Sequence, residues 1–154
     1  MPSSQDLHTM LRSKRLDTVD LCLSLHLDGW SSCTWVINEV CHTSHISHTI
    51  GEPYATFIRA LEQLIDGNQT VLFQWYSELG AEQFDLTKRG DWLQVHQHCL
   101  HEAGQTRDQL LNKDHCQHTI SFLTTERTFL TIGYLQLKKT ALLMKDRRNT
   151  EGRY

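Results

Sequence analysis

A chain of 154 residues, 39% apolar and 21% charged, has the make-up of one globular domain and is long enough to bury a core without metal or disulfide support. Its formal charge of −3 is unevenly spread: residues 17–91 hold eleven acids against three bases, or −8, while residues 115–154 hold seven bases against three acids, or +4. An acidic body repels phosphate, which argues against nucleic acid as the ligand, and attracts a basic partner. The same acids would equally serve to solvate a surface.

The five cysteines are odd in number and contain no CxxC pair. The opening residues carry no apolar run of signal-peptide type, and no stretch approaches the roughly 20 apolar residues of a membrane span. Reduced thiols in a bacterial-type cytoplasm are the expectation, with no membrane association.

Residues 1–15 are polar with scattered Leu and Met, and read as a flexible N-terminal arm ahead of a single domain over 16–154. Alternation then begins, with Val19, Leu21, Leu23, Leu25 and Leu27 on one side and Asp20, Cys22, Ser24, His26 and Asp28 on the other. Period 2 marks a half-buried strand, and Asp28-Gly29 turns it. Residues 33–41 predict a second strand, rich in β-branched and aromatic side chains. A short third strand is predicted near 44–49. Gly51-Glu52-Pro53 opens a helix, with proline in the first turn where its missing N–H costs nothing. Tyr54, Phe57, Ile58, Leu61, Leu64 and Ile65 give that helix one apolar face, and Gly67 closes it.

Residues 70–78, 82–89 and 92–100 predict a three-stranded meander, with Gly90-Asp91 as a tight turn. Residues 102–114 read as a loop, 116–123 as a further strand, and the chain from Thr124 onward as a long helix ending in basic residues. The order implies an α+β fold: an antiparallel sheet of about five to seven strands, with two main helices packed on one face. The other face would then meet water.

Face by face, Val71, Phe73 and Trp75, then Phe84 and Leu86, then Leu93 and Val95, form the natural core set. The opposite side carries Gln74, Tyr76 and Glu78, then Gln83 and Asp85, then Trp92, Gln94, His96 and His98. Rings supply contact area at little entropic cost, and carboxylates pair with a partner's Arg or Lys. The same side chains would also suit an ordinary wet sheet face.

Three stretches carry a resemblance: GWSSC (29–33), GEPYATFIRALEQLIDGNQ (51–69) and VLFQWYSELGAEQFDLTKRGDWLQV (71–95). Together they resemble a family of small bacterial proteins. In that family a Leu-rich helix ends in L-x-G, a strand reads F-x-W-x-x-E-P-G-E, and a later strand contains L-x-R-x-G. Glu78, Gly80 and Glu82 match the loop, and Arg89-Gly90 approximates the later pattern. Leu79 stands where the family often has proline, and Ala81 is an extra residue before Glu82. The last helix and its TEGRY ending also resemble the family. Some members look like immunity proteins of contact-dependent growth inhibition systems, which neutralise a cognate toxin domain in the cytoplasm. The resemblance implies a binding protein, not an enzyme, whose partner is a toxin domain, and the acidic body fits a basic one.

Ten histidines are many for this length. His42, His45 and His48 stand three apart. His96, His98, Cys99 and His101 form a second group, and Cys116 and His118 a third. Imidazole and thiolate suit a borderline metal, but none of these spacings matches a structural zinc module, so no metal or cofactor is expected. His96, His98, Glu78 and Asp85 would converge on one sheet face as an acid/base site requires, which leaves a small metal-dependent or His-based hydrolase as the alternative. The sequence contains no G-x-S-x-G, P-loop, dinucleotide glycine pattern or H-E-x-x-H.

The expectation is therefore a binding protein that covers the active site of a toxin domain. Its contacts would be Tyr76, Glu78, Glu82, Asp85 and Trp92, with Asp20 and Asp28 as secondary candidates. The broad apolar stripe on the last helix is compatible with a monomer or a homodimer.

Overall fold

The computed structural model describes residues 15–26, 29–49, 51–77, 80–101 and 120–151. Seven strands and two helices follow one another as β1 (Val19–Leu25), β2 (Trp30–Ile37), β3 (Val40–Ser47), α1 (Pro53–Ile65), β4 (Thr70–Ser77), β5 (Gly80–Arg89), β6 (Trp92–His101), β7 (Ile120–Thr125) and α2 (Glu126–Glu151). The α+β class, the strand number and the two helices agree with the sequence. The strands divide into two sheets, β1-β2-β3 and β4-β5-β6-β7, with every pair antiparallel. The N-terminal arm lies outside the described residues. Among the described residues no helix is long and apolar enough to cross a membrane.

The alternation read from the sequence sets the core. Leu21 and Leu23 of β1 are buried between exposed Asp20 and Cys22. Val71, Phe73 and Trp75 of β4, Phe84 and Leu86 of β5, and Leu93 and Val95 of β6 are all buried. Rings dominate the interior. Phe73 stacks on Phe84 with centroids 4.6 Å apart, and Phe57 of α1 meets both Phe73 and Trp75. Trp35 of β2 reaches Phe84, Phe122 of β7 and Phe129 of α2. One aromatic core thus joins the inner faces of both sheets and both helices. Burying each such ring stabilises the fold by about 1.5–3 kcal/mol.

The hairpin between β2 and β3 differs from the sequence reading. The strand expected over 33–41 ends at Ile37, and Asn38-Glu39 forms a two-residue turn with φ of 48° and 70°. A hairpin turn of this hand needs positive φ at both positions, and asparagine tolerates it far better than glutamate. Tertiary bonds offset the strain. The Asn38 side-chain oxygen accepts from the Thr18 N–H at 3.0 Å, and its amide donates to Asp17 at 2.8 Å. Asp17 in turn bonds β7: its N–H donates to the Leu123 carbonyl at 2.9 Å, and its carboxylate accepts from the Leu123 N–H at 2.8 Å. The start of β1 is thereby stitched to the far edge of the second sheet.

Helix α1 is held at both ends by the second sheet. The Trp75 indole N–H donates to the Pro53 carbonyl at 3.0 Å. Lys88 of β5 donates to the Leu64 carbonyl at 2.7 Å in the last turn, and the same ammonium pairs with Glu126 at 3.0 Å in the first turn of α2. One cation therefore opposes the negative end of one helix and an acid at the positive end of the next. Gly67 (φ 91°) then closes α1 as the sequence suggested.

Candidate functional site: the outer face of the second sheet

With Phe73, Phe84 and Val95 turned inward, pleating sends Gln74 and Tyr76 of β4, Gln83 and Asp85 of β5, and His96 and His98 of β6 to the other side. Register sets them side by side: Gln74 lies opposite Gln83, Gln83 opposite His98, and Asp85 opposite His96. Both helices pack on the inner side, and among the described residues no helix crosses this face. Tyr76 is 40% exposed.

These side chains form one connected chain of hydrogen bonds. The Tyr76 hydroxyl donates to the Gln74 side-chain oxygen at 3.1 Å. The Gln74 amide donates to Gln83 at 2.9 Å, and the Gln83 amide donates to Asp85 Oδ1 at 3.0 Å. His98 Nε2 meets Asp85 Oδ2 at 2.8 Å, and the His96 ring lies 6.2 Å from that of His98. Every bond from Tyr76 onward points its donor toward Asp85, so successive dipoles reinforce one another and converge on the carboxylate. The result is a preorganised polar strip with a ring at one end and a histidine–carboxylate contact at the other. The Tyr76 ring lies beside Gly51, ahead of α1, where an added Cβ would meet it at 3.7 Å.

The candidates from sequence do not all share this strip. Tyr76 and Asp85 belong to the strip, joined by Gln74, Gln83, His96 and His98. Trp92 shares their alternation but lies six residues along β6 from His98, about 20 Å at strand rise. Glu82 is a correction. It has the parity of Phe84, pairs directly with buried Trp75, and bonds the amide of Gln97, itself buried on the inner side of β6. It therefore cannot join Tyr76 on the outer face. Asp20 lies on β1 in the other sheet, its carboxylate accepting from the adjacent Leu21 N–H at 2.8 Å. Asp28 and Glu78 fall outside the described residues. The sequence suggested a face rich in carboxylates, but among its described residues Asp85 is the one acid of the strip. The strip offers amides, rings and one histidine–carboxylate contact.

The histidines separate likewise. Cys99 falls on the side opposite His98, as strand alternation requires. His45 sits by His26, with ring centroids 6.4 Å apart, while His48 is turned elsewhere. Cys116 and His118 lie outside the described residues. Among the described residues no group of three His, Cys, Asp or Glu side chains could hold a metal ion.

One cluster was not anticipated from sequence. Ser31 of β2, fully buried, is hydrogen-bonded both to His48 Nε2, just past β3, and to the Tyr54 hydroxyl of α1 at 2.6 Å. The rings of His48 and Tyr54 meet edge to face at 4.9 Å. Burial lowers the His48 pKa from its usual 6.5. Burial also raises that of Tyr54, against the opposing pull of the Ser31 hydrogen bond. A serine beside an imidazole suggests a nucleophile, but a hydroxyl with no exposed surface and two partners is a structural joint between two strands and a helix. No local motif announces it, because its members come from three elements.

No family model, curated protein or solved structure matches the chain.

Proposed function

We propose that this chain is a binding protein that captures another protein through the outer face of β4–β6, in the role of an immunity protein that occludes a toxin domain. The observation that carries the reading is the strip running from Tyr76 through Gln74 and Gln83 to Asp85 and His98. It is uncovered by either helix and its side chains are already held in place. Preorganised side chains lose little entropy on binding, so contacts made to them convert efficiently into affinity. Tyr76 offers a ring and a hydroxyl, and Asp85 offers a carboxylate to a partner's Arg or Lys. The toxin-neutralising role draws on the resemblance carried by residues 29–33, 51–69 and 71–95, and the −8 balance of residues 17–91 suits a basic partner.

Co-expression with the protein encoded directly upstream tests this reading. That protein should arrest growth alone, and the wild-type chain should restore it. Tyr76→Ala combined with Asp85→Arg should fail to restore it while melting like wild type. An upstream protein without toxicity, or full protection by the double variant, would overturn the proposal.

A His-based hydrolase remains a second reading because Asp85, His98 and His96 do meet on one face, with the first two 2.8 Å apart. It would be favoured by ester or phosphate hydrolysis that disappears in His96→Ala.

A further inference from the structure

Three polar groups from separate parts of the chain close on one buried point. Ser31, near the start of β2, has no exposed surface. His48 follows the last residue of β3, and Tyr54 lies in the first turn of α1. Ser31 Oγ meets His48 Nε2 on one side and the Tyr54 hydroxyl, at 2.6 Å, on the other. Among the described residues these two contacts are the only side-chain hydrogen bonds the three groups make.

Counting protons fixes how the bonds run. Two contacts hold two protons. When His48 is neutral and carries its ring proton on Nδ1, Tyr54 donates to Ser31 and Ser31 donates to Nε2. Both hydroxyl protons and the Nε2 lone pair are then used. A proton on Nε2, in the other tautomer or in the imidazolium, makes three protons for two contacts. His48 then donates to Ser31, and one hydroxyl proton of Ser31 or Tyr54 is left without an acceptor. A buried donor in that position carries its full desolvation cost. The closed joint therefore admits one protonation state of His48.

The surroundings do not compensate an imidazolium. Burial raises the Tyr54 phenol of α1, and burial and then Glu82 of β5 raise the Cys33 thiol of β2, so both are uncharged at neutral pH. Glu52, just ahead of α1, is exposed, and no carboxylate pairs with His48 among the described residues. Burial accordingly lowers the His48 pKa. The ring is also only half-buried at a strand end, so it can leave for water without opening the core. What is lost then is the tie between the end of β3 and the start of α1. Two backbone bonds flank that tie: His48 N–H to the Gly29 carbonyl at 2.9 Å, and Thr56 N–H to the Glu52 carbonyl at 3.0 Å.

We propose that Ser31, His48 and Tyr54 form a proton-operated latch, closed while His48 is neutral and opened when its Nε2 takes a proton, which uncouples the end of β3 from the start of α1. Gly51, between the two, lies beside the Tyr76 ring, so the latch adjoins the capture strip. The inference does not depend on what that strip binds.

NMR spectroscopy of the full chain between about pH 8 and about pH 5 tests it. At the alkaline end the ring-nitrogen shifts of His48 should place the proton on Nδ1. As His48 protonates, with a midpoint below 6.5, solvent exchange of the His48 and Thr56 amides should accelerate at least about tenfold beyond its intrinsic pH dependence, while the Phe73 amide in the core stays protected. Ser31→Ala removes the bridging hydroxyl, so the His48 midpoint should rise toward 6.5 and the step in amide exchange should vanish. His48→Gln should abolish the step as well. A proton on Nε2 at the alkaline end would overturn the latch, and so would amide exchange indifferent to the protonation of His48. A His48 midpoint that Ser31→Ala leaves unmoved would show that burial alone sets it and would overturn the inference too.

Discussion

Replacing Lys88 with methionine removes one charge and leaves the stem that packs inside the fold, so its cost isolates what the ammonium does. The side chain is only 10% exposed and its partner Glu126 is 26% exposed, so neither charge is well solvated. The ammonium makes two bonds, 2.7 Å to the Leu64 carbonyl and 3.0 Å to the Glu126 carboxylate. A hydrogen bond to a charged group contributes about 1.5–3 kcal/mol, and a cation at a helix C-terminus adds about 0.3–1 kcal/mol. Breaking a fully buried pair costs about 3–5 kcal/mol; the partial exposure of Glu126 brings the figure for Lys88→Met to about 2–3 kcal/mol. For a domain of this size that is a fall in Tm of roughly 4–12 °C. Glu126→Gln should cost less, about 1 kcal/mol, because Lys88 keeps its bond to Leu64. The double variant should therefore cost less than the sum of the two, which urea unfolding of all four proteins would measure. A loss below about 0.5 kcal/mol for Lys88→Met, the range of a surface pair, would refute the idea that this cation joins the two helix ends.

Gly133→Leu should prevent α1 and α2 from meeting and lower the unfolding midpoint by several degrees or abolish folding, since the new side chain would enter the space of Phe57 and Leu61. A stable Gly133→Leu variant would show that the helices are not in close contact there. Asn38→Gly keeps the turn's backbone and loses the bonds to Thr18 and Asp17, and should cost about 1–2 kcal/mol in urea unfolding; Asn38→Ala should cost about 1 kcal/mol more, because alanine resists positive φ. The pH response follows from His48, whose folded pKa lies below its unfolded value of 6.5. The unfolded chain then binds the proton more readily, so stability is full above about pH 6.5 and is lost as pH falls through that value toward the lower folded pKa. Urea midpoints measured above and below this window should fall for the wild type, and fall less for His48→Gln.

Much of the second sheet was legible because strand alternation is local. Val71, Phe73 and Trp75 could be turned inward from sequence, and Gln74, Tyr76, Asp85, His96 and His98 then had to face outward. Glu82 was misplaced although its parity with Phe84 was visible; the glycine at 80 suggested a loop, whereas β5 is already paired from that residue. The Asn38-Glu39 turn was hidden because glutamate is a poor resident of left-handed space. What makes it possible is the contact with Asp17 and Thr18, some twenty residues away. Lys88 and the Ser31–His48–Tyr54 joint were invisible for the same reason: their roles exist only once α1 has packed on β4. The acidic balance of the body was a sum along the chain. In space Asp17 is spent on β7, Asp20 on its own backbone and Glu82 on the interior, so these three acids of the linear excess do not add to the outer face of the second sheet.

The central claim is that the outer face of β4–β6 is the capture surface. Calorimetric titration of the purified upstream-encoded domain into the wild type, and into a Tyr76→Ala/Asp85→Arg variant of equal melting temperature, tests it most directly. Affinity should fall at least about a hundredfold in the variant, as loss of the Tyr76 ring and reversal of the Asp85 charge require. Equal affinity for the two proteins would contradict it.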